Sequence, residues 1–532
     1  MNKKIKIILL VIIVCIFSVV SYKYIVRDKA LFITVFADHD KMDISAQIHT
    51  SDAGQIINAF YDDANSYYLF VPSYAKDKKV MFETGKSIKI TAEEDGVYSI
   101  NGEYQLYVLY GSSIPFIDVS LEKGMEYLVE DKSNIDHGQI TIFSSEGDIL
   151  YTGELEEMKG RGNSSWNLDK KPLQFKLPVP MEIGEIPSTN KFSLVSARDY
   201  TFLRNYISNE MSECMGDAPL SCMHVDLYID HEYQGIYELW NKVEPETLEI
   251  YDLEEENKTT TDMLEPWQQM TTNTYLEDWN NTVTGKWWDY VDQTDEISGG
   301  YILECDYALR YDEEASGFIL DSGAYMVSKS PKYLSEEQYN YISDYMKTCE
   351  FVLGESLRLG EPEMIYDYID VESFVVKYLV EEVSKNYECS STSLYLYKDI
   401  EDTLHAGPAW DYDSAYGAVD DNSELDFASP EGFAAREIPG SFTWWQLLYY
   451  NPRFYEEMVQ VYNETLYPYL NELTEELLPQ WEVKLTGSAV MDSIKWKRAT
   501  SPEAALEDYQ YKVGKVSDFI SARKEFLYNE WK

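Results

Sequence analysis

The sequence predicts an α+β protein, and three observations carry that expectation. Short alternating, β-branched and aromatic runs fill 31–110, 112–180 and 222–240. Helical patterns occupy 201–216, 335–350 and 371–386. From Trp444 onward the pattern is mostly helical, with interruptions expected near Thr486-Gly487-Ser488 and Thr500-Ser501-Pro502. A chain of 532 residues has room for two or more domains and a large core.

The N-terminus begins with Lys3, Lys4 and Lys6, followed by an apolar run from Ile7 to Val20 that extends through Tyr22. No small-x-small cleavage site follows it, and Val14 stands where a lipoprotein signal needs a small residue before Cys15. Residues 1–27 are therefore expected to be an uncleaved signal anchor, with the bulk of the chain outside the cytoplasmic membrane. A cleaved signal peptide, giving a secreted or surface product, is the alternative.

Residues 31–110 read as a small all-β domain. Leu31–Phe36, Tyr67–Val71, Val80–Phe82, Ser87–Ile90 and Tyr104–Val108 have strand length, and Asp, Gly and Lys supply the turns. Strands continue through 112–180, and a hairpin is expected at 222–240 across Asp230-His231-Glu232. The polar tract 254–295, rich in Trp, Thr and Asn, reads as an insertion or long loop. Ser335-Glu336-Glu337 and Asp370-Val371-Glu372 are expected helix starts.

Three motifs carry chemistry. The first is Gly160-Arg161-Gly162-Asn163-Ser164, followed by Lys170-Lys171-Pro172-Leu173-Gln174-Phe175-Lys176. Closely spaced glycines let backbone N–H groups approach a phosphate, and a lysine on the next strand adds charge. The second is Asn386 to Ser393, just before a hairpin formed by Ser393–Lys398 and a strand starting at Leu404. The third is Asp411-Tyr412-Asp413: if the strand from Leu404 runs on to Asp413, both acids share one face and can hold a hard cation. Glu388, Ser393 and Asp411 follow the order in which protein kinases place a catalytic acid, a metal-binding side chain and a Mg²⁺-binding acid.

From 113 to the C-terminus the chain resembles the spore coat protein H (CotH) kinase family. The resemblance rests on Arg161 to Trp166 with the Lys-Lys pair, Leu203-Arg204-Asn205, Val225 to Asp230 with Gly235-Ile236-Tyr237, and Gly299 to Glu304. Ser393 to Gly417, Phe442 to Trp445, Pro452-Arg453-Phe454 and the tail from Arg523 to Trp531 complete it. It implies an atypical protein-kinase-like fold after the small all-β domain and the anchor. The implied activity is ATP-dependent phosphorylation of protein Ser or Thr with Mg²⁺ or Mn²⁺.

On that resemblance Glu388 and Asp411 are the catalytic residues, and Asp411, Asp413 and Ser393 form the metal set. Gly160, Arg161, Gly162, Asn163, Ser164 and Lys171 are expected to hold the nucleotide. Lys171 is the chosen phosphate lysine, with Lys170 and Lys176 left open: Lys171 shares a strand face with Leu173 and Phe175, Lys170, Gln174 and Lys176 share the other, and periodicity does not settle the choice. Glu304, ending an apolar strand, is expected to pair with that lysine or line the nucleotide site.

Two positions depart from the family pattern: Glu388 stands for Asp, and Asn241 for Glu. A longer side chain displaces the carboxylate, and a shift of about 1 Å can cost roughly a hundredfold in rate. Asn241 keeps hydrogen bonding without charge. These departures support a pseudokinase-like binding or structural protein of the cell or spore surface as an alternative. A carbohydrate-binding surface protein, suggested by the acids, Tyr and Trp, is a third class.

A net charge of −50 argues against nucleic acid as a partner, because phosphate backbones attract basic surfaces. The cysteines are sparse and hold no C-x-x-C, which disfavours a disulfide scaffold or zinc ribbon, while Cys214 and Cys222 are near enough in sequence to pair. His231 in a turn and His405 in the hairpin are expected to be structural.

Overall fold

The computed structural model describes residues 30–38, 41–49, 54–62, 64–217, 219–260, 274–278, 280, 282–289, 291, 294–418, 426–437, 440 and 442–532. The anchor expected at 1–27 lies outside the described residues. Among those residues, no helix is long and apolar enough to cross a membrane. The fold is mixed α+β with an all-β region at its start, as the sequence predicts, and the chain divides into two compact units.

The first unit comprises residues up to Tyr200, Met223–Trp240 and Gln480–Tyr511. Its strands are β1 (Ala30–Asp38), β2 (Lys41–His49), β3 (Gly54–Asn58), β4 (Phe60–Tyr61), β5 (Ser66–Val71), β6 (Lys79–Thr84), β7 (Ile90–Glu94), β8 (Val97–Ile100) and β9 (Tyr104–Tyr110). They form a four-stranded sheet, β3-β2-β1-β6, and a five-stranded sheet, β4-β5-β9-β8-β7. Strands β2, β3, β4 and β8 were not expected, although Met42, Ile44, Ala46 and Ile48 alternate as a half-buried strand should. The expected run Ser87–Ile90 is strand only at Ile90, where β7 starts. The two sheets share one core, with Ile33, Val35, Ile48, Leu69 and Leu106 fully buried.

That core continues without a break into Phe116, Tyr233 and Met491. The next strands are β10 (Phe116–Leu121), β11 (Ile135–Phe143), β12 (Ile149–Gly160), β13 (Leu173–Ile183), β14 (Ile186–Val195), β15 (Cys222–Ile229) and β16 (Glu232–Asn241). They close into a seven-stranded barrel in the order β10-β11-β12-β13-β14-β16-β15. Val119, Ile142, Phe175, Leu194, Val225 and Leu239 fill its interior. The expected hairpin is present: Asp230 (φ 51°) and His231 (φ 71°) both take the left-handed conformation that a two-residue hairpin turn requires.

Helix Leu478–Lys495 runs straight through Thr486-Gly487-Ser488, where an interruption was expected. Gly487 serves close approach here, because a Cβ would sit 2.8 Å from the Tyr110 carbonyl oxygen. Ser488 then donates to Asp226 Oδ2 at 2.7 Å and accepts from the Ser112 N–H at 2.8 Å. The expected break at Thr500–Pro502 is present, ahead of the final helix Pro502–Trp531.

The second unit comprises Thr201–Cys222, Asn241–Pro479 and Lys512–Lys532. Its strands β17 (Thr274–Glu277), β18 (Val283–Trp287), β19 (Tyr301–Asp306), β20 (Gly317–Ile319), β21 (Tyr325–Ser330), β22 (Leu394–Lys398) and β23 (Leu404–Ala406) form a sheet ordered β17-β18-β20-β21-β19-β22-β23. The tract 254–295 is thus not wholly a loop: β18 is paired into the sheet beside β20. Helix Glu336–Leu359 starts in a reciprocal cap between Ser335 and Gln338, and Asp370 caps helix Val371–Ser384. Cys214 and Cys222 do not form a disulfide, and the Cys214 thiol donates to the Met211 carbonyl within its own helix.

Candidate functional site

Antiparallel pairing of β19 with β22 sets Glu304 opposite Tyr395 and Cys305 opposite Leu394. The segment leading into β22 therefore passes the end of β19. Thr392 donates its hydroxyl to Asp306 Oδ1 at 2.8 Å, and Ser393 donates to Asp411 Oδ2 at 3.1 Å. Two sequence-distant loops meet here, and both carry backbone strain: Ser393 has φ 55° and Asp411 φ 65°. Non-glycine residues held there cost about 1–3 kcal/mol each and cluster at functional sites.

The strand expected to run from Leu404 to Asp413 ends at Ala406. Pro408 has no N–H to continue the ladder, and Asp411 leaves the extended region altogether. Asp411 and Asp413 consequently do not share a strand face. Asp413 turns to helix Arg204–Cys214, where Asn205 Nδ2 donates to its Oδ1 at 2.9 Å. Asn205 Oδ1 also accepts from the Tyr412 N–H at 2.6 Å, so one amide holds the residues on the C-terminal side of Asp411.

Glu388 is half-buried in the turn that follows helix Val371–Ser384, with its N–H on Asn386 Oδ1 at 3.1 Å. Tyr307 connects it electrostatically to Asp411. Burial raises the phenol's pKa first, followed by the negative charge of Glu388, with smaller contributions from Asp306 and Asp411. Burial likewise raises Asp306, against the hydrogen bond from Thr392.

Glu304 lies inside β19 rather than at its end, and it has its own partner. Lys329 on β21 approaches Glu304 Oε2 at 3.2 Å and Glu314 Oε1 at 3.0 Å. Burial pushes the Glu304 carboxyl up to about 7, with the Lys329 charge opposing. Burial works against the Lys329 ammonium, but the charges of Glu304 and Glu314 outweigh it and raise its pKa. The expected partner of Glu304 was the lysine after the glycine loop; the observed one is Lys329.

The glycine loop lies in the first unit. Gly160 ends β12, and a Cβ there would meet the Trp166 ring at 2.5 Å; one on Gly162 (φ 78°) would meet Ser165 Oγ at 2.3 Å. The Arg161 N–H bonds to the Pro172 carbonyl at 3.2 Å, while Asn163 and Ser164 open a short 3₁₀ turn and remain exposed. Lys171 is not on a strand, because Pro172 intervenes and β13 starts at Leu173. Its ammonium donates to the Trp166 carbonyl at 2.8 Å and sits over that ring. Lys170 is buried and 2.5 Å from Asp492 Oδ2, and Lys176 pairs with Glu156 at 2.6 Å. Asn241, buried, braces the chain before β15 by accepting from the Ser221 N–H at 2.8 Å.

Among the described residues, no three His, Cys, Asp or Glu side chains gather as a metal cage. The donor set at Asp411 and Ser393 still fits Mg²⁺, which takes one or two carboxylates and completes its shell with water and phosphate oxygens. Sequence reasoning missed Asp306, Thr392, Lys329 and the clamp role of Asn205. Asp306 was detectable, since it stands two residues beyond Glu304 on one strand and so shares its face.

A family model described as CotH kinase protein matches residues 158–527, well over half of the chain. No curated protein matches it.

Proposed function

The chain belongs to the CotH kinase protein family, and from that premise we propose that it is an exported atypical kinase transferring the γ-phosphate of ATP to a Ser or Thr hydroxyl of a protein. The observation that carries the reading is the meeting of Ser393 and Asp411, both at positive φ, beside the turn that presents Glu388. In this reading the substrate hydroxyl oxygen forms a bond to the γ-phosphorus and the bond to the bridging oxygen breaks, releasing ADP. Glu388 takes the hydroxyl proton. Asp411, oriented by Ser393, is the acid that would hold Mg²⁺ or Mn²⁺, and such an ion would neutralise phosphate charge. Asp413 supports Asp411 through the loop fixed by Asn205. Gly160 to Ser164 and Lys171 are the proposed nucleotide contacts, with Lys171 released from the Trp166 carbonyl. The fold carrying this chemistry is proposed to be kinase-like, and the N-terminal apolar segment to tether it outside the cytoplasmic membrane.

A pseudokinase-like binding protein is the second reading. It is favoured by Glu388 in place of Asp and by the local engagement of all three candidate lysines. The deciding experiment incubates purified protein with labelled ATP and Mg²⁺ or Mn²⁺, beside Asp411→Ala. Label transfer that the substitution abolishes supports the kinase. Metal-dependent ATP binding without transfer supports the pseudokinase, and neither binding nor transfer removes the nucleotide reading.

A further inference from the structure

Helix Val371–Ser384 carries an ion pair one turn apart, Lys377 Nζ to Glu381 Oε1 at 2.8 Å, with both side chains 2% exposed. A buried pair of this kind is weak evidence for stability, since desolvation can exceed the attraction and apolar residues often serve as well. Its other bonds point to a different use. Glu381 Oε2 accepts from Asn386 Nδ2 at 2.9 Å, and Asn386 in turn accepts from the Glu388 N–H. Glu381 Oε1 accepts from the Tyr412 hydroxyl at 3.0 Å. That hydroxyl accepts from Lys377 at 2.9 Å, so its single proton is committed to Glu381. Lys377 also reaches the Pro408 carbonyl at 3.4 Å. Tyr412 is thereby held at its ring end by Glu381 and at its backbone by Asn205, with strained Asp411 immediately before it.

We infer that Glu381 is a positioning residue that sets the Glu388 and Asp411 segments in one register, using one carboxylate oxygen for each. Its kinetic consequences rest on the phosphotransfer reading, whereas its structural consequence does not. With Lys377 in place an amide does not replace it: whichever way Gln is turned, its NH₂ faces either the Asn386 NH₂ or the Lys377 ammonium.

The test uses the full chain with Tyr412→Phe, Asn386→Ala and the double variant Lys377→Met with Glu381→Leu, which strands no buried ammonium and leaves position 381 without a partner for either segment. Amide hydrogen exchange is measured over 386–392 and 408–413, alongside thermal unfolding and kinetics. Tyr412→Phe is expected to loosen 408–413 alone and to raise KM for the metal–nucleotide about tenfold, with kcat changing less. Asn386→Ala is expected to loosen 386–392 alone and to lower kcat about tenfold or more at nearly constant KM. The double variant should loosen both segments. If that variant does not fold, the two single substitutions decide. Unchanged exchange, or equal loosening of both segments by each single substitution, overturns the inference. Segment-specific loosening in a protein that transfers no phosphate would sink the kinase reading and leave the positioning role standing.

Discussion

Both units bury a lysine against a carboxylate, and the two pairs are put to different uses. In the first unit Lys170 joins a loop to a helix 322 residues further along the chain, and Asp492 also receives the Ile236 N–H and the Arg498 guanidinium. Gly235 lies so close that a Cβ there would meet Asp492 Oδ2 at 2.2 Å. This pair seats helix Leu478–Lys495 on the barrel. In the second unit Lys377 and Glu381 are neighbours on one helix, so their pairing brings no distant elements together. What they hold is the pair of loops bearing Glu388 and Asp411. A buried ion pair that spans the chain serves assembly, whereas one confined to a helical turn can serve geometry.

The largest break in that comparison should come from Asp492→Ala. It strands the buried Lys170 ammonium, whose pKa burial already lowers, and should cost about 3–5 kcal/mol by urea unfolding. Gly235→Ala should follow at about 1–3 kcal/mol, because a side chain at φ 115° is strained and the carboxylate must move. A third test uses pH. Burial pushes both Asp226 in the first unit and Glu304 in the second up to about 7, far above ordinary values of 3.8 and 4.5. The folded chain therefore binds more protons than the unfolded chain across that interval. The stabilisation is full below about pH 4 and is lost as pH rises towards 7. Glu304→Gln should remove part of that slope, on the order of 1–2 kcal/mol between pH 4.5 and 7.5, in denaturant titrations at each pH. The smallest effect should be Arg358→Ala, which deletes an exposed pair with Glu355 and should leave the unfolding midpoint where it was.

Much of the scaffold was legible because its signals are local. Alternating apolar residues marked most strands, Asp230-His231 marked the hairpin, and Ser335 and Asp370 marked two helix starts. The site was legible in its members and not in their arrangement. Glu388, Ser393 and Asp411 do lie on loops flanking β22 and β23, but Gly407-Pro408 ends the strand that would have aligned Asp411 with Asp413. Periodicity could not choose between Lys170 and Lys171, because Pro172 removes both from the strand, and the partner that fixes Lys170 is distant in sequence. Gly487 read as a helix breaker because close backbone approach leaves no local trace.

Barrel closure also bears on how this chain behaves when crowded among copies of itself. A ring of strands β10 to β16 offers no unpaired row of N–H and C=O groups to a neighbour. Of the open margins in the first unit, two are charged: β7 ends in exposed Glu93 and Glu94, and β6 exposes Lys79 and Glu83. Strand-to-strand zippering between molecules is thus blocked by geometry at the barrel and opposed by the hydration of charged side chains at β6 and β7. The barrel and these two charged strands lower the tendency of concentrated molecules to fuse into fibrils.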